Sequence, residues 1–93
     1  MFAGAALKGA RLMDEARPGW FNHIDTAMLD INDRGRCVLG QLFGNFYDGC
    51  RQLKIDWVKA IAYGFIPVLP GPSINRAWKK EIARRRSAAF VAT

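Results

Sequence analysis

Wherever this chain carries a long patterned segment, its apolar residues return every three or four positions. No stretch alternates apolar with polar long enough to make a half-buried strand. That periodicity restricts the fold to packed helices. Ala6, Leu7, Ala10, Met13 and Ala16 predict a first helix over residues 3–16, stopped by Arg17-Pro18-Gly19. Residues 20–31 predict short helical turns, the first running to about Ile24 with Pro18 in its opening turn. Asp25 and Asp30 are placed there to accept from free amides. Leu39, Leu42, Phe43, Phe46, Cys50 and Leu53 predict a central helix over about 34–53. Each glycine inside it costs about 1 kcal/mol. Gly40 and Gly44 therefore signal a close helix crossing or a break. The close approach is assigned to Gly40, and a kink at Gly44 stays open.

Asp56 predicts the cap of a further helix over 57–64, with Trp57, Ala60, Ile61 and Phe65 in one stripe. Pro67, Pro70 and Pro72 exclude a helix from the connector at 66–73, whose Ile66, Val68 and Leu69 are expected against the core. Ser73 then caps a basic helix over 74–88 with Ile74, Trp78 and Ile82 inward, and a frayed tail is expected over 89–93. The expected fold is a single all-α domain over 1–93, a small bundle of four to five helices. Its 93 residues leave no room for two cores, and its 51% hydrophobic residues suffice for one.

Charge is distributed unevenly. Residues 1–73 hold eight Lys and Arg against seven Asp and Glu, whereas 74–93 hold six against Glu81, so +5 of the net +6 belongs to the last helix. Arg76, Lys79, Lys80, Arg84, Arg85 and Arg86 are therefore the candidate contacts for nucleic-acid phosphates, for an anionic membrane surface or for an acidic groove on a partner. The competing reading is a solvated face on a docked helix, with the last arginines answering the helix dipole. Trp20 and Trp78, with Phe21, are the candidate anchors of an apolar patch for a protein partner.

The residues leave little room for catalysis or metal. His23 is the sole histidine, so histidine clusters are excluded, and a zinc site would need scattered Cys37, Cys50, His23 and a carboxylate. Neither Ser73 nor Ser87 sits in a nucleophile elbow, and no phosphate-binding glycine loop is present. Cys37 is the one conceivable thiol nucleophile, a role that weighs less than that of a core residue. On one unbroken helix, Cys37 and Cys50 would lie roughly 20 Å apart, too far for a disulfide. The expectation is a non-enzyme without metal or cofactor. No secretory signal is read at the start, and the longest apolar run, residues 60–69, is about half the length a membrane span needs. No membrane insertion and a cytoplasmic location are therefore expected.

Several blocks are shared with a known group. They are Leu12-Met13-Asp14-Glu15, Pro18-Gly19-Trp20, Cys37-Val38-Leu39-Gly40-Gln41-Leu42 and Ala77-Trp78-Lys79-Lys80-Glu81-Ile82 followed by Arg84-Arg85-Arg86. On them the chain resembles a group of small proteins carried by actinobacterial phages and their hosts, departing from it in a shorter proline-rich connector. The resemblance implies a bacterial cytoplasmic setting and a phage origin, and it carries no site residues. With it, the expected function is that of a small accessory protein, an adaptor or inhibitor that binds a host protein. Nucleic-acid binding through the basic helix is the alternative.

Overall fold

Two helices from opposite ends of the sequence make the centre of this protein. The computed structural model describes residues 2–67 and 73–92, and among them every regular element is helical. Helix α1 spans Phe2–Ala16 and α5 spans Ser73–Ala92. Gly9 lies against the Trp78 ring and Asp14 pairs with Arg85, so the contacts advance along both helices together and the two run parallel. Ala6, Ala10 and Met13 face Ile74, Trp78 and Ile82 in the core, as the spacing predicts. The approach is close because Gly9 has no side chain: a Cβ there would meet the Tyr63 carbonyl and sit 2.7 Å from the indole of Trp78.

Trp78 organises the rest. Its Nε1 donates to the Gly64 carbonyl at 2.6 Å, Phe65 stacks on its ring at 5.4 Å, and Trp20 meets it edge-on at 5.9 Å. Such pairs add to the large area that aromatic residues bury. Trp20 arrives on the short 3-10 turn Trp20–His23, entered through Gly19 at φ 79°. From Ile24 to Arg36 the chain has turns and no helix, held by carboxylates. Asp25, Asp30 and Asp33 each accept from a backbone amide two residues on. Gln41 fastens this segment, accepting from the Asp25 amide at 2.7 Å and donating to the Asp25 and Arg36 carbonyls.

The expected single central helix is two. Helix α2, Val38–Phe43, ends at Gly44, which takes φ 97°, and α3, Phe46–Leu53, folds back on it. Asn45 caps α3 by accepting from the Asp48 amide at 2.9 Å, and its amide donates to the Asp48 carboxylate at 2.8 Å. The break falls at Gly44, and Gly40 does make a close approach, though not to a helix. Gly44 supplies the positive φ, while at Gly40 a Cβ would collide with the Arg34 carbonyl and the Gly35 backbone. The close neighbour of Gly40 is thus the preceding turn, not another helix. Gly49 lets α3 settle on α2, since a Cβ there would come 2.7 Å from that of Leu39.

Helix α4, Trp57–Ala62, is capped by Asp56, which accepts from the Lys59 amide at 2.9 Å. Gly64 at φ 72° then turns the chain into Phe65. The connector is described only as far as Pro67; its Val68 and Leu69 lie outside the described residues. Helix α5 continues through Ala92, past the expected end at 88, so 89–92 prolong it.

Candidate functional site

The basic end of α5 does not act as one surface. Arg85 is turned inward, its side chain 15% exposed, where it pairs with Asp14 at 3.0 Å and with Glu81 at 2.8 Å. Asp14 also accepts from the Trp20 indole at 2.9 Å, so this cluster ties α1, the 3-10 turn and α5 together. Burial pushes the Asp14 carboxyl up, but the hydrogen bonds from Arg85 and Trp20, with the Arg85 charge, outweigh it and hold it below the usual range. The same carboxylates pull Arg85 up against its own burial. Arg86 reaches the other way, donating to the Phe21 carbonyl at 2.9 Å and to that of Ile24. Arg84 pairs with Glu81 at 3.5 Å. Arg76, Lys79 and Lys80 remain exposed and without an ion pair among the described residues.

Trp20 and Trp78 cannot anchor a partner. Both are 0% exposed, and the expectation that they contribute to a surface patch is corrected. Edge-on packing and an indole hydrogen bond for each make them the interior of the bundle, and Phe21 is half-buried beside them.

An exposed aromatic surface lies elsewhere, and it includes Trp57, which the expected α4 stripe placed inside. Trp57 is 61% exposed, Val58 72% and Tyr47 51%. Helix α4 has only six residues, and its contacts with α1 are made from its C-terminal end, where Tyr63 and Gly64 meet Gly9, Ala5 and Ala6. Ala60 is therefore buried while Trp57, one turn earlier, projects beyond the core. Tyr47 follows the buried Phe46, meets its ring edge-on at 5.5 Å and stays exposed. Between them opens a cleft of about 200 Å³, floored by Ile31, Cys37, Phe46 and Phe65 and continued by Ile66 and Pro67. The signal in the sequence was shortness: a helix of under two turns between a capping Asp56 and Gly64 buries Ala60 near its end but not Trp57 at its start.

Arg34 stands at the rim, its guanidinium carbon 5.1 Å from the Tyr47 ring centroid, within cation–π range. Arg36, two residues on, is already engaged with Asp33 at 3.3 Å, and Arg51 on α3 with Asp48. Arg34 has no ion pair among the described residues. On the floor, Cys37 is 1% exposed, and its sulfur caps α2 by accepting from the Gly40 amide at 3.2 Å. Burial pushes this thiol up, which opposes the thiolate a nucleophile requires. Both cysteines are free thiols, and the break at Gly44 removes the straight-helix separation expected of them. His23 is exposed on the 3-10 turn, and no group of three metal-ligating side chains occurs among the described residues. No helix among them is long and apolar enough to cross a membrane. Compared with protein families, with curated proteins and with solved structures, the chain finds no match.

Proposed function

We propose that this protein acts by occupancy and not by catalysis, as a small adaptor or inhibitor that binds a cytoplasmic protein through the cleft between Tyr47 and Trp57. The observation that carries this reading is a tryptophan left 61% exposed beside a cleft with an apolar floor, in a domain whose other two tryptophans are fully buried. Exposed aromatic residues around a concave apolar site are the usual anchors of protein recognition. A cleft of about 200 Å³ is also below the roughly 300–1,000 Å³ typical of cofactor and drug-sized ligands. A photo-crosslinking residue at Val58 is expected to capture a protein from bacterial lysate at low and high salt, with or without nuclease. The same residue at Ser87, on the outer face of α5, should capture none, and Trp57→Ala should abolish capture at 58. Equal capture from both positions would remove the cleft from the account.

A second reading is favoured by Arg76, Lys79 and Lys80, exposed cations that can meet nucleic-acid phosphates. With Arg85 and Arg86 occupied internally and Arg84 paired with Glu81, it works with three cations instead of six. Affinity for DNA should then fall by only roughly three log units per log unit of salt. Recovery of a partner solely at low salt and solely without nuclease would favour this reading over the first.

A further inference from the structure

We propose that the segment seated in the cleft is an acidic linear peptide, one apolar side chain entering between Tyr47 and Trp57 while an adjacent carboxylate pairs with Arg34. The proposal rests on the cleft reading above and specifies the chemistry of its partner.

Size sets the first half. About 200 Å³ with an apolar floor accommodates one large side chain, and a folded surface has to present that side chain on a protruding or extended segment to reach the floor. Charge sets the second. Most arginines of this domain are already engaged: Arg36, Arg51, Arg84 and Arg85 hold carboxylates, while Arg17 and Arg86 donate to carbonyls. Arg34 is exposed beside Tyr47, with its guanidinium carbon 5.1 Å from the ring centroid, and holds no carboxylate among the described residues. A guanidinium is a planar fork of donors that matches a carboxylate bidentately, and this one stands at the rim of the cleft. A single guanidinium suits a single carboxylate; phosphorylated segments are usually gripped by arginine clusters, and here Arg36 is tied to Asp33. The net charge of +6 adds long-range attraction for the same class of partner. The Arg34 backbone carbonyl accepts from the Phe46 amide at 2.9 Å, so the site for the side chain is built by the main chain and survives replacement of the side chain.

The test selects random phage-displayed linear peptides on the immobilised protein, then measures the best sequence as an end-capped synthetic peptide by isothermal titration calorimetry. Expected are peptides with Asp or Glu within two positions of a large apolar residue. Binding should weaken roughly tenfold in Arg34→Ala and be partly retained in Arg34→Lys. In Arg34→Glu the selection should turn towards Lys and Arg. Peptides that need Trp57 but carry no acidic bias and ignore Arg34→Ala would overturn the carboxylate pairing while leaving the cleft reading in place. Peptides that bind Trp57→Ala as well as wild type would overturn both. An oligothymidylate bound with dependence on Trp57 and Arg34 would overturn the peptide in favour of a stacked nucleobase.

Discussion

At Gly9 a single methyl group has nowhere to go. A Cβ would press on the Tyr63 carbonyl and on the Trp78 ring, neither of which can retreat, because the indole is itself bonded to Gly64 and stacked on Phe65. Gly9→Ala improves helix propensity by about 1 kcal/mol. Overpacking of this kind nevertheless costs about 1–3 kcal/mol or more, so a net loss is expected, read as a lower urea midpoint. Asp14 gives the pH counterpart. Its carboxyl is held below its unfolded value, so its contribution is fully present above about pH 4 and disappears as pH falls through the lower folded value. The side chain is 42% exposed, which limits the contribution to less than about 1 kcal/mol. Asp14→Asn should therefore lower stability at neutral pH and narrow its gap to wild type towards pH 3, checked by chemical denaturation across that range. A gap that widened on acidification would contradict the sign.

Between α2 and α3, one residue decides whether there are two helices or one. Gly44 takes φ 97°, outside the range an L side chain adopts without strain, so Gly44→Ala should cost about 1–3 kcal/mol although open space surrounds the position. Asn45→Ala removes a cap worth about 1 kcal/mol. A thermal melt of each variant measures both, and an unchanged Gly44→Ala would mean that the hairpin tolerates a continuous helix. These elements also show what the sequence conveys. Buried positions in α1, α2 and α5 were legible because an apolar repeat is a local pattern, and Asp25, Asp30 and Asp56 were legible because caps act over two or three residues. The break was ambiguous because a glycine inside a helical pattern signals equally a turn or a tight contact. The candidate site was hardly legible at all. Periodicity says which residues share a face, not whether another element reaches that face, and so Trp57 was assigned inward. Glu81, four residues before Arg85, is a partner that helical spacing allows, but the others, Asp14 for Arg85 and Phe21 and Ile24 for Arg86, lie more than sixty residues away, where no spacing rule extends.

Over the whole molecule, the three tryptophans divide into two buried and one exposed, and that division can be measured without knowing any partner. Acrylamide should quench part of the native emission, and Trp57→Phe should remove the quenchable part while leaving stability within about 0.5 kcal/mol of wild type. Trp78→Ala, which empties the centre, should cost about 3–5 kcal/mol, a large share of what a domain of this size retains. If Trp57→Phe left quenching unchanged, the aromatic surface would have to be placed elsewhere. The central pairing of α1 with α5 joins the two ends of the described sequence. On the ribosome, α5 is synthesised after everything it covers, so a nascent chain presents Ala6, Met13 and Trp20 uncovered until the last helix has emerged. A chain stalled before Trp78 is thus expected to leave that apolar surface open to chaperones and proteases, a consequence of the order in which the pieces are made.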